Sequence, residues 1–196
     1  MRILAFSDLH LKAPAAAALV SVAEKADLVI GAGDFCVMRQ GLAKAMEMLA
    51  PILDRAVLVP GNAESVEELR AAAGPATVLH GAGIELHGLR LFGLGYGVPV
   101  TPFGDWSCDL TEEAAAGLLA PMEAADIFIT HSPPKGIADR TSRGISVGST
   151  AIRDAILRVQ PPLCLCGHIH DAWGESGRIG VTSVHNLGPR PNWFEV

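Results

Sequence analysis

Ile3-Leu4-Ala5-Phe6-Ser7-Asp8-Leu9-His10 is the stretch from which the rest of the chain can be read. Its four apolar residues predict a short buried strand, and the run breaks at once into polar residues. Two later runs behave alike: Leu28–Ile30 leads to Gly33-Asp34, and Val57–Val59 leads to Gly61-Asn62. Helical patterns at Ala15–Ala26 and Leu42–Leu53 fill the intervals. Strand, helix, strand, helix, strand is the signature of a parallel α/β arrangement.

Further along, Ser65-Val66-Glu67-Glu68 matches a capping box and predicts a helix stopped by Gly74-Pro75. Asp109 or Thr111 is placed to cap another helix through Leu119, and Ser149–Val159 predicts a third, ended by Pro161-Pro162. Between them, Thr77–Tyr96 reads as β segments separated by glycines, which favours antiparallel hairpins. Ile127–Ile129 and Leu163–Leu165 are further strands, and Arg178–Val196 reads as closing strands. The fold class is therefore α/β with mixed sheets. Gly97–Cys108 and Pro133–Gly148 lack periodicity, and irregular loops of that length often border binding sites.

Composition narrows the function. The 196 residues suit one domain with its own core, since 49% are apolar and only 18% charged. No apolar run approaches the roughly 18–20 residues of a membrane span, and the N-terminal run is too short for a secretory signal. A formal net charge of −6 argues against bulk nucleic-acid binding and against a nuclease acting on long polymers. Cys36, Cys108, Cys164 and Cys166 lack metal-site spacing and are expected as free, buried thiols in a reducing, cytoplasmic setting.

The chemistry lies at the strand ends. Asp8 and His10 follow the first strand, Asp34 the second and Asn62 the third; His131 follows Ile127–Thr130, and His168 and His170 follow the strand through Cys166. Ligands of open α/β sheets bind at that edge, so seven N/O donors from distant segments face one cavity. Singly, each has an ordinary explanation: a strand-end Asp caps a helix, an Asn after Gly makes a turn, a lone His satisfies a core hydrogen bond. Their joint placement favours a shared site. His80, His87 and His185 lie outside the set and are read as structural.

Asp8-Leu9-His10, Gly33-Asp34, Gly61-Asn62-Ala63-Glu64, Thr130-His131 and Gly167-His168-Ile169-His170 together resemble the calcineurin-like metallophosphoesterase superfamily, in its order and over essentially the whole chain. Thr130-His131-Ser132-Pro133-Pro134 and Val147-Gly148-Ser149 are most similar to its small metallophosphodiesterase branch. The resemblance implies a single domain over residues 1–196, a two-sheet β sandwich flanked by helices. It also implies two divalent cations, one held by Asp8, His10, Asp34 and His170 and the other by Asp34, Asn62, His131 and His168, with Asp34 bridging. Asp34, Asn62 and His131 carry the catalytic role in this scheme: in-line attack on phosphorus by a hydroxide between the cations. Such donors accept Mn, Fe, Ni, Co or Zn, with manganese the first choice. The implied substrate is a small phosphoester, nucleotide-like and a diester in preference to a monoester.

The family usually has a His where this chain has Ala63, which has no proton to donate to a leaving group, so nitrophenyl diesters are expected to outperform alkyl esters. That departure also keeps open a weak or inactive phosphoesterase-fold module serving protein interaction, as in the retromer coat subunit. Arg140, Arg143, Tyr96 and Trp106 are rim residues available to phosphate or a base, although solvated arginines and packed aromatics are the commoner outcome. Cys36 is not expected to be a nucleophile, for want of a nearby base.

Overall fold

Each short apolar run becomes a strand because both of its faces find a cover. The computed structural model describes residues 1–196. It contains β1 (Arg2–Phe6), β2 (Leu28–Ala32), β3 (Ala56–Val59), β4 (Thr77–Val78), β5 (Ala82–Leu86), β6 (Leu89–Leu94), β7 (Ile127–Thr130), β8 (Leu163–Cys166), β9 (Ser176–Ile179), β10 (Thr182–Asn186) and β11 (Asn192–Glu195). Five helices accompany them: α1 (Ala13–Val22), α2 (Leu42–Leu49), α3 (Val66–Ala72), α4 (Glu112–Leu119) and α5 (Thr150–Val159). One sheet has the order β11-β1-β2-β3-β4 and the other β5-β6-β7-β8-β10-β9.

Strand alternation divides the core into three layers. Ile3, Ala5, Ile30, Val57, Ile127, Ile129 and Leu165 meet between the sheets. The opposite faces, Leu4, Phe6, Val29 and Leu58, pack under Leu19 of α1, Leu49 of α2 and Leu69 of α3. Phe92, Phe128, Cys164 and Cys166 pack under Leu119 of α4 and Ile152 and Ile156 of α5. This is the expected sandwich of two mixed sheets between helices. No helix is long and apolar enough to cross a membrane.

The capping box at Ser65 is present, with Glu68 N–H donating to Ser65 Oγ (3.2 Å) and Ser65 N–H to the Glu68 carboxylate (2.8 Å). Thr111, not Asp109, caps α4. Other boundaries need correction. The helix expected over Ala15–Ala26 starts at Ala13, with Pro14 in its first turn, and tightens to a 3₁₀ turn at Ala23–Lys25. The one expected over Leu42–Leu53 becomes 3₁₀ at Ala50–Arg55, because Pro51 has no N–H with which to continue an α-helix. Thr77–Tyr96 yields one antiparallel hairpin, β5–β6, and not a series. β4 pairs parallel with β3 in the first sheet, and β6 pairs parallel with β7 in the second. The closing strands also divide, β9 and β10 staying in the second sheet while β11 returns antiparallel to β1. All four cysteines are free; Cys36, Cys164 and Cys166 are buried, whereas Cys108 is only half-buried.

Candidate metal centre

The parallel strands of both sheets deliver their C-terminal ends to one edge. Asp34 stands at its middle. Its Oδ2 lies 3.5 Å from His10 Nε2, and its Oδ1 lies 3.4 Å from His131 Nε2. On one side, Asp8, His10 and His170 gather their ligand atoms within 4.8 Å of one another; on the other, Asp34, His131 and His168 do the same. Asn62 joins the second group, with Oδ1 3.1 Å from His131 Nε2. The structure thus brings all seven sequence-selected donors together.

Hydrogen bonds fix which ring nitrogens are bare. His131 Nδ1 lies 2.8 Å from the Ala32 carbonyl, and His10 Nδ1 lies 3.0 Å from the Cys36 carbonyl. A carbonyl only accepts, so Nδ1 of each ring carries a proton, and the neutral ring offers its Nε2 lone pair to the centre. There His131 Nε2 meets His168 Nδ1 at 3.2 Å, and His10 Nε2 meets His170 Nε2 at 3.2 Å. The Asn62 amide donates its N–H to Ser107 Oγ (3.0 Å), which leaves its oxygen facing His131. Lone pairs and carboxylates converging in this way repel one another unless cations lie among them. Two sets of imidazole, amide and carboxylate donors fit divalent first-row metals.

The electrostatics agree. Burial would raise Asp34 and Asp8, but the facing imidazoles hold both below the usual carboxylate range. Burial would lower His131, yet the charges of Asp34 and Asp8 prevail and lift it to about 9. Burial and the neighbouring His131 push His168 down to about 4. The buried carboxylates thus make the centre attractive to positive charge.

Local backbone geometry is specialised. Asp8, His10, Asp34 and His168 adopt left-handed conformations, with φ of 54°, 44°, 58° and 68°. Each costs about 1–2 kcal/mol in an L-residue, somewhat less for Asp. Gly61 allows the third strand's turn to approach, since a Cβ there would overlap the Asp34 carboxylate.

Several functional residues escaped sequence reasoning. Glu64 is wholly buried and accepts N–H groups from Asp34 (2.8 Å) and Gly61 (2.7 Å) on one oxygen and from Phe35 (3.1 Å) and Cys36 (3.4 Å) on the other. It therefore clamps the Asp34 turn to the Asn62 turn. Trp173 Nε1 donates to Asp8 Oδ2 (3.0 Å), and its ring packs on His170 at 4.3 Å. Ser107 donates on to Asp109 Oδ1 (3.0 Å), and Asp109 Oδ2 is held by Thr101. Glu64 stands in the Gly61-Asn62-Ala63-Glu64 block without a role being read for it, and Trp173 is signalled only by its place three residues after His170.

Other expected rim residues are placed differently from the donors. Tyr96 accepts the Val66 N–H (3.0 Å) and packs on His80 at 4.4 Å, so it is a structural residue. Arg140 donates to the Gly144 carbonyl (2.8 Å), and Arg143 is exposed. Trp106 stacks on Phe103 at 5.6 Å, and the Phe103 and His168 rings form a T-shaped pair at 6.5 Å. His80 and His185 hold local hydrogen bonds, and His87 occupies the exposed β5–β6 turn. Burial and Glu64 raise the Cys36 thiol well above its ordinary value, which disfavours a nucleophilic thiolate.

The sequence model of the calcineurin-like phosphoesterase family matches residues 1–172. Human metallophosphoesterase domain-containing protein 1 is 33% identical over 123 residues, 60% of this chain and 35% of the human protein. The match thus spans about a third of that relative's length. Among solved structures, TT1561 of Thermus thermophilus superposes with a TM-score of 0.73 at 18% identity, covering 95% of this chain and 88% of its own. A structure described as a novel archaeal phosphodiesterase gives 0.55 at 14% identity, covering 96% and 84%. At these identities the two structures establish the shared fold.

Proposed function

Because this chain belongs to the calcineurin-like phosphoesterase family, we propose that it hydrolyses small phosphodiesters, nucleotide-like ones included, at a two-cation centre with manganese as the first-choice metal. It is a metallophosphoesterase with two His/Asp clusters. The observation that carries the reading is Asp34, one carboxylate oxygen turned to each cluster. When bound, two divalent cations neutralise charge on a phosphoryl group and acidify water near neutral pH.

The chain's own residues supply the frame. Asp8, His10 and His170 would hold one cation, and Asn62, His131 and His168 the other, with Asp34 shared. Ala32 and Cys36 carbonyls keep the protons of His131 and His10 on Nδ1, away from the centre. Glu64 holds the Asp34 and Asn62 turns at fixed separation, and Ser107 keeps the Asn62 oxygen inward. Fixed donors reduce reorganisation as charge develops on phosphate. The unpaired cysteines support action in a reducing, cytoplasmic setting.

Ala63 has no proton to give, and its methyl group is enclosed at 1% exposure. Leaving groups that depart unaided are therefore favoured, and 4-nitrophenyl diesters should exceed alkyl esters by about 10²–10⁴-fold, the usual worth of general acid help. Ala63 is also the one feature favouring an interaction module, against which stands the complete donor set.

The test is metal quantification on purified protein with a panel of aryl mono- and diesters, cyclic nucleotides and dinucleotides under several cations. Two cations per chain and diester turnover exceeding monoester turnover are expected. A protein that binds two cations and turns over nothing would favour the interaction module, while monoester preference would correct the substrate class.

A further inference from the structure

The two aperiodic loops, Gly97–Cys108 and Pro133–Gly148, form opposite walls of a cleft of about 570 Å³ that runs up to the metal centre. Val98, Val100 and Phe103 line one wall and Val147 the other, with Ile169 and His168 between them. His168 is thus shared: its Nδ1 meets His131 Nε2 in the donor cluster, and the residue also borders the cleft. A phosphoryl group held at the donors would have one ester substituent directed along this cleft.

Its exposed surface is mainly apolar, with the hydroxyl residues Thr101, Thr141, Ser146 and Thr150 also on its border. Both charged groups on its border bond back to the protein: Lys135 Nζ makes one hydrogen bond, to the Ser146 carbonyl (2.6 Å), and the Glu112 carboxylate accepts from Ser149 Oγ (2.7 Å) and the N–H groups of Thr150 (2.9 Å) and Ala151 (2.8 Å) at the start of α5. Arg140, on the same loop as Val147, is likewise turned to the Gly144 carbonyl. Meanwhile Val100, Phe103 and Ile145 remain 59%, 50% and 55% exposed on the two loops. Large apolar side chains left uncovered beside a concave site are the usual mark of a ligand surface. Stacking on Trp106 restricts the Phe103 ring before a ligand arrives.

We infer that this cleft receives an uncharged, apolar ester substituent of the substrate, of the size of an aromatic ring or ring pair, and so selects aryl or heteroaromatic esters over small alkyl or charged ones. The inference rests on the phosphoesterase reading above, which fixes where the phosphoryl group sits.

Phenylphosphonate, methylphosphonate and 2-aminoethylphosphonate, each with one organic group, are the probes, titrated by calorimetry into the manganese-loaded protein. Phenylphosphonate should bind roughly tenfold or more tightly than methylphosphonate, as burial of a ring implies, and the aminoethyl compound no better than methyl. In Phe103→Ala and Val147→Asp the phenyl-to-methyl ratio should fall to within about twofold. Phe103 is half exposed, so its variant tests the cleft without disturbing the core. Equal affinity for the phenyl and methyl compounds in a protein that turns over diesters overturns the cleft assignment and leaves the phosphoesterase reading standing. Failure to bind any phosphonate together with failure to hydrolyse any ester overturns both.

Discussion

The two halves of the metal centre use nearly the same donors in different surroundings. His131 has a side chain 0% exposed and Asn62 is 2% exposed, whereas the His170 side chain is 50% exposed and that of His10 is 20% exposed. The inner half is tied by Ala32, Ser107 and Glu64, each bond made to another buried or half-buried segment. The outer half leans on Trp173, which fixes Asp8 through its indole N–H and His170 through its ring face. Donors held before the ion arrives lose less freedom on binding it. The inner site should therefore bind more tightly, and the outer cation should be the one that exchanges.

Asp34→Ala breaks the contrast altogether, because it removes the carboxylate both halves share. Both cations should be lost by elemental analysis, with activity reduced beyond the roughly 10–100-fold typical of supporting residues. Retention of one tight cation would show that the halves are independent. Next in size, His131→Ala and His170→Ala should separate them. Without cations, His131→Ala orphans the buried Ala32 carbonyl and should cost about 1–3 kcal/mol of stability. His170→Ala, on the solvent side, should stay within about 0.5 kcal/mol in the same melting experiment. Metal analysis should then find the inner cation retained in His170→Ala; the reverse order of loss would invert the comparison. A smaller effect is expected at the supports: Ser107→Ala should weaken the inner cation and Trp173→Phe the outer one, each by about tenfold in competitive chelator titrations. A shift of the same cation by both variants would place the two supports on one site.

Why the donors were legible and their supports were not follows from the same contrast. Strands such as Ile3–Phe6 and Ile127–Thr130 are covered on both faces, so they stand out as uninterrupted apolar runs, and whatever follows them is automatically at the sheet edge. Glu64 acts through backbone N–H groups about thirty residues away at Asp34, Phe35 and Cys36, and amides carry no sequence identity. Trp173 and Ser107 act across 165 and 45 residues of sequence respectively. In the fold, β4 is two residues long and finds its parallel partner through β3, too short a run for periodicity to reveal. For Tyr96, an isolated aromatic, packing is the favoured reading of the sequence, and the Val66 N–H on its hydroxyl supplies the contact that the sequence does not show.

The left-handed backbone at Asp8, His10, Asp34 and His168 sets heat resistance and chemistry at odds. A mutant library sorted only for survival at high temperature should enrich glycine or asparagine at these four positions, and the survivors should be tougher proteins with damaged cation sites. Sorting the same library for turnover should reject them, so the divergence between the two pools would map the strained donors without any structure being solved.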